Sequence, residues 1–123
     1  MVLVDTSVWV SHFRGGNTLL QTLLLEEVVV CHPFIIGEVA CSHLKDRKEI
    51  ISLFQALPSV TMPEHTEVLE FLERNRLMGL GMGWIDVHLL ASALLNRVSL
   101  WTMDKKLREV ATRLNVRYEG KTI

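Results

Sequence analysis

Four acidic side chains, Asp5, Glu38, Asp86 and Asp104, stand where the local pattern does not ask for a solvated charge. Asp5 ends the apolar run Met1-Val2-Leu3-Val4, and Asp104 comes shortly after the run Val98-Ser99-Leu100-Trp101. Glu38 is the only charge in Phe34-Ile35-Ile36-Gly37-Glu38-Val39-Ala40-Cys41, a stretch in which a buried carboxylate without a partner would cost several kcal/mol. Clustered carboxylates repel, and without a counter-ion one or more takes up a proton. Oxygen donors with no matching Cys or His set suit Mg²⁺ or Mn²⁺ rather than zinc. Such an ion is suited to polarising a phosphodiester and activating water for in-line displacement. Thr6, Ser7 and Thr102 flank the acids, and their hydroxyls could orient a carboxylate or a water. Each acid also has a purely structural reading: Asp5, Asp86 and Asp104 as helix N-caps, and Glu38 as the wet side of its helix. Thr6 or Ser7 could likewise cap the first helix.

The elements that must position these groups alternate along the chain. Short apolar runs at 1–4, 28–31 and 98–101 read as buried strands, with weaker candidates at 59–62 and 116–118. Between them lie helical patterns: 8–13 closed by Gly15-Gly16, 19–26 capped by Asn17, and 33–41 with Pro33 at the favoured first position. Further patterns run over 46–57 before Pro58, over 64–78, over 84–96 with the small residues Ala91, Ser92 and Ala93, and from Asp104 onward. In the last, Leu107, Val110, Ala111 and Leu114 share one face and leave Lys105, Lys106, Arg108 and Arg113 elsewhere. This alternation predicts an α/β fold of three layers, α/β/α, around a mostly parallel sheet of four to five strands. No linker, repeat or low-complexity segment interrupts it, so one domain is expected to fill residues 1–123. In open sheets of this kind ligands bind beyond the carboxyl ends of the strands, where Asp5 and Asp104 fall.

With 123 residues, 49% of them hydrophobic, the chain has material for a core and lacks the low hydrophobicity and high net charge of disorder. The formal charge of −1 argues against gripping nucleic acid by bulk positive potential. That total hides an asymmetry. Residues 1–73 hold 4 basic and 10 acidic side chains, whereas residues 74–123 hold 9 basic and 4 acidic. Two cysteines, Cys31 and Cys41, make no disulfide framework and read as buried, reduced thiols. The chain opens without a secretory leader pattern, and no apolar run approaches the roughly eighteen residues needed to span a bilayer. A soluble cytoplasmic protein is the expectation.

Four pieces of the sequence together resemble a PIN-domain ribonuclease of the VapC toxin type. They are Val4-Asp5-Thr6-Ser7-Val8-Trp9, Glu38, Gly83-Trp84-Ile85-Asp86-Val87-His88-Leu89-Leu90-Ala91-Ser92-Ala93-Leu94-Leu95, and Leu100-Trp101-Thr102-Met103-Asp104. The resemblance runs through essentially the whole chain in order and at family-like spacing; the region around Asp86 and the later Thr-x-Asp are its strongest parts. It implies that Asp5, Glu38, Asp86 and Asp104 hold one or two Mg²⁺ or Mn²⁺ ions, with Thr6 and Thr102 in support. The implied reaction is endonucleolytic hydrolysis of structured RNA, such as transfer or ribosomal RNA, leaving a 5′-phosphate and a 3′-hydroxyl. The implied partners are that RNA, a second copy of the chain and a VapB-like antitoxin that restrains the enzyme by placing a side chain in the acidic pocket. The resemblance departs at Cys41-Ser42-His43, where many relatives have a glycine a few residues after the glutamate.

The alternative is a PIN fold that binds RNA or protein without cutting, for which a damaged quartet is expected and all four acids are present. A haloacid-dehalogenase-like phosphatase would need Asp at the position of Ser7, and a receiver domain would need it at the end of the third strand, where Thr61-Met62-Pro63 stands. Cys31, His32, Cys41 and His43 lack the short paired spacings of structural zinc sites. His88 diverges from Asp86 around the helix and reads as packing or solvent-facing. Trp9 and Trp101 read as core, while Trp84 reads equally as packing or as a stacking surface for RNA bases. Lys105, Lys106 and Arg108 would project from the helix that opens at the acidic site, either as a solvated face or as phosphate contacts.

Overall fold

The computed structural model describes residues 1–120. Three parallel strands, β1 (Val2–Val4), β2 (Val29–Val30) and β3 (Ser99–Trp101), form a sheet in the order β2-β1-β3. Neighbouring residues of a strand point to opposite faces, and Val2, Leu3 and Val4 are all buried, so both faces of the sheet are covered. The covering comes, among the described residues, from seven helices: α1 (Thr6–Gly15), α2 (Thr18–Leu25), α3 (Pro33–Cys41), α4 (Arg47–Ala56), α5 (His65–Arg74), α6 (Trp84–Asn96) and α7 (Lys105–Arg113). Helix α3 packs on α1 and α4, whereas α6 packs on α5 and β3. The expected α/β class with a parallel sheet is observed.

The expectation of four to five strands is corrected to three among the described residues, each outer candidate being reduced to a single parallel bridge. At one edge Ser59 bridges Cys31 through two bonds, Cys31 N–H to the Pro58 carbonyl and Val60 N–H to the Cys31 carbonyl. The pairing stops there because the Asn96 side chain takes both backbone groups of Thr61, at 2.9 and 2.8 Å, and the following Pro63 has no N–H. At the other edge Arg117 bridges Leu100, flanked by bonds to Val116 and Tyr118. Two single bridges thus extend the order on either side.

Helix α6 is the buried axis of the molecule, with Val87 to Ala93 enclosed without interruption. Ala91, Ser92 and Ala93 allow this close approach, as their small size predicts. Trp9 and Phe54 meet edge to face at 4.6 Å within the core, confirming Trp9 as a packing residue. Trp101 is only half-buried and lies 5.5 Å from the Tyr118 ring. Cys31 is buried but Cys41 is exposed, which corrects the expectation of two buried thiols. Among the described residues no helix is long and apolar enough to cross a membrane.

Candidate active site at the carboxyl edge of the sheet

From β1 the chain passes first to β2 on one side and later to β3 on the other, so the connections diverge at the carboxyl ends of β1 and β3. Such divergence opens a crevice. Asp5 lies in it as the residue after β1, its backbone N–H bonded to the Trp101 carbonyl at 2.9 Å. Asp5 has the backbone position of an N-cap for α1, and its carbonyl accepts from Val8 N–H at 3.0 Å. Its side chain makes no capping bond, which corrects the capping reading. Instead Oδ2 accepts from Ser7 Oγ and from Thr102 Oγ1, each at 2.8 Å. Both donors fall on one oxygen, so among the described residues Oδ1 keeps its lone pairs for a ligand.

Ser7 joins the two strand ends. Besides serving Asp5, its hydroxyl accepts from Met103 N–H at 3.0 Å and lies 3.4 Å from Thr102 Oγ1. Thr102 is buried and accepts from Asp104 N–H at 3.1 Å. The family resemblance implies Thr6 and Thr102 in support and does not name Ser7; its position two residues after the Asp that follows β1 is the signal that marks it. Thr6 serves a different acid, donating from Oγ1 to Glu38 Oε1 at 2.8 Å.

Glu38 is exposed, which corrects the expectation of a carboxylate buried in an apolar helix. Ile35 and Val39 turn into the core, while Pro33, Gly37 and Glu38 face out. Its link to α1 through Thr6 nevertheless holds it at the crevice. Asp104 does cap its helix, Oδ1 accepting from Leu107 N–H at 2.9 Å. Gly83, not Asp86, occupies the N-cap position of α6, so Asp86 stands in the first turn. That first turn leaves Asp86 within electrostatic reach of the other acids.

Burial, before anything else, raises the Asp86 carboxyl above the ordinary carboxylate range; a bond from the Gly83 backbone pulls it back, and the charges of Asp5, Asp104 and Glu38 push it further up. Asp86 therefore feels the charge of all three other acids. They do not close on a point: among the described residues no three His, Cys, Asp or Glu side chains are gathered tightly enough to hold an ion. The raised value makes a prediction for the metal-free protein. A carboxyl whose folded pKa lies above its unfolded one contributes stability at low pH, and that contribution disappears as pH rises through the folded value. In chelator at pH 7, Asp86→Asn therefore melts at a higher temperature than the wild type, and the gain shrinks as pH falls towards 4. A Tm that drops, or a gain independent of pH, would contradict this.

Across the chain, residues 2–113 match the PIN domain. The chain belongs to the PIN-domain family. Two similar proteins, each named Ribonuclease VapC32, come from Mycobacterium tuberculosis strains CDC 1551 / Oshkosh and ATCC 25618 / H37Rv. Each is 41% identical over 109 residues, covering 88% of this chain and 88% of the relative. The resemblance to VapC-type PIN domains read from the sequence is borne out. This PIN domain carries Lys105 and Lys106 exposed and Arg108 half-buried on α7, the helix capped by Asp104. Trp84, the first residue of α6, is 37% exposed.

A second polar cluster, which the sequence did not reveal, is buried between the start of α3 and α6. His32 is fully buried; its Nδ1 accepts from Phe34 N–H at 3.0 Å and so caps α3. That bond leaves the ring proton on Nε2, which donates to Ser92 Oγ at 3.0 Å, and Ser92 donates on to the His88 carbonyl at 2.7 Å. Burial, with a smaller contribution from the neighbouring His88, lowers the His32 pKa to about 4. His88 is buried too, as the packing reading expected, and among the described residues its Nδ1 has no hydrogen-bond partner.

Proposed function

We propose that this PIN domain is a Mg²⁺- or Mn²⁺-dependent endoribonuclease, the toxin of a VapBC-type toxin–antitoxin pair. The observation that supports the reading is electrostatic: Asp5, Asp104 and Glu38 each act on Asp86, at the carboxyl side of the sheet. The donor chemistry fits a hard divalent cation: all oxygen, with mutual repulsion that such an ion relieves. Asp5, Glu38, Asp86 and Asp104 would hold it. A bound ion supplies neutralisation of the phosphate and polarisation of the scissile phosphodiester. Ser7 and Thr102 hold the Asp5 carboxylate by Oδ2, and Thr6 holds Glu38. Lys105, Lys106 and Arg108 stand beside Asp104 to contact phosphates on either side of the cut, which positions RNA without reading its sequence.

The substrate is a structured RNA such as transfer or ribosomal RNA. The protein acts in the cytoplasm as a homodimer, and a VapB-like antitoxin restrains it by filling the acidic crevice. The similarity to proteins named Ribonuclease VapC32 supports the activity and the pairing. Sequencing the 5′ ends of cellular RNAs after brief expression tests it. New ends arise with the wild type and not with Asp5→Asn. If the wild type produces none, a PIN fold that binds without cutting becomes the account.

A further inference from the structure

An apolar groove of about 400 Å³ opens directly beside the acidic cluster. Pro33, Phe34, Gly37 and Cys41 of α3 form one wall, and Trp84 and Ile85 of α6 form the other. Among the described residues the one charged group in its wall is Glu38, which is also tied to α1 through Thr6 and acts on Asp86. Trp84 is held in place, its ring 5.1 Å from the His65 ring and 5.9 Å edge-on from His88. It is braced but not covered.

Resting on the endoribonuclease reading, we infer that this groove seats one unpaired base of the RNA beside the scissile phosphate, with Trp84 as its stacking platform. The shared Glu38 carries the argument: a ligand whose phosphate lies at the acids brings its adjoining base to this wall. A base offers the flat apolar face that such walls accept, and stacking on an aromatic ring needs no hydrogen-bonding edge. The groove lining is almost wholly carbon, so it selects by stacking area, purine over pyrimidine, and does not distinguish adenine from guanine by their edges. An A-form duplex keeps its bases stacked, and only a loop, bulge or end can splay one out.

The test couples a protein change to an RNA change. Trp84→Ala lowers kcat/KM about tenfold, chiefly through KM, and Trp84→Phe restores most of it. Removing the base at one nucleotide flanking the cut costs the wild type a similar factor and costs Trp84→Ala nothing further, as expected of two groups that touch. In a second arm, a short single-stranded RNA carrying 2-aminopurine is quenched on binding the non-cutting Asp5→Asn protein, and much less by Asp5→Asn with Trp84→Ala. Losses that multiply independently at every flanking position overturn the proposal. So does a Trp84→Ala protein that cuts normally but no longer binds its antitoxin, which assigns the groove to a protein side chain. A wild type that cuts no RNA defeats the endoribonuclease reading alone, because the 2-aminopurine arm still decides whether Trp84 stacks a base.

Discussion

Asp5→Asn reduces RNA cleavage in Mg²⁺ by about a thousandfold or more while the protein still folds. The loss follows from charge: the substitution removes one of the four carboxylates at the crevice, and each 1.36 kcal/mol withdrawn from the transition state is tenfold in rate. The fold survives because an amide oxygen at the place of Oδ2 still accepts from Ser7 and Thr102, the two bonds that tie the end of β1 to the end of β3. Asp104→Asn behaves in the same way, since Asn caps helices as well as Asp and Leu107 N–H keeps its acceptor. Asp104→Ala differs. It loses cleavage to the same extent and also about 1 kcal/mol of stability, the usual cost of a lost N-cap. Single-turnover cleavage of the RNA, set beside urea unfolding of each variant, checks both halves. Undiminished cleavage by both Asn variants would remove the quartet as the catalytic centre.

Acid unfolding has a second expected signature, centred on His32. The folded pKa of about 4 lies below the ordinary 6.5, so the neutral imidazole contributes stability that is complete above 6.5 and is lost as pH falls to about 4. A drop of this size corresponds to about 3 kcal/mol. Protonation at Nδ1 destroys the acceptor that caps α3, and it places a positive charge among the Phe34 and His88 rings, 5.1 and 5.6 Å away. The lowered value of His88 acts in the same direction. His32→Asn keeps an acceptor for the Phe34 N–H but carries no titrating ring. It is less stable than the wild type at pH 7, having lost the bond to Ser92, and the gap closes between pH 6.5 and 4. Urea unfolding at several pH values measures that gap. Parallel stability curves would show that His32 does not carry the acid sensitivity.

Much of the site was legible in the sequence because its chemistry is local. Asp5 and Asp104 follow short apolar runs, and a run that ends in an acid at the carboxyl edge of a parallel sheet places that acid in the crevice. The nearly neutral total charge, which argued against a nucleic-acid enzyme, reads differently once the acids are located: Asp5, Glu38, Asp86 and Asp104 gather in one crevice and leave a basic C-terminal half beside it. The edge strands were less legible. Ser59 to Met62 has strand-like residues, but the Asn96 side chain from a helix far along the chain claims the backbone of Thr61. The apolar neighbours of Glu38 suggest burial, yet a helix buries only the stripe it turns to its partners.

By itself the sequence determined the α/β class, the family and the placement of Asp5 and Asp104 just past strand ends, since these follow from residue type, run length and order. The tertiary structure alone decided which oxygen of Asp5 is engaged, that Ser7 rather than a cap holds it, that Glu38 faces water, and that His32, Ser92 and the His88 carbonyl form a buried chain. The reason is distance along the chain. Ser7 and Thr102 are 95 residues apart, as His32 and Ser92 are 60 apart, and no local pattern records which side chains the packing of α3 and α6 around the sheet will bring within 3 Å or so of one another.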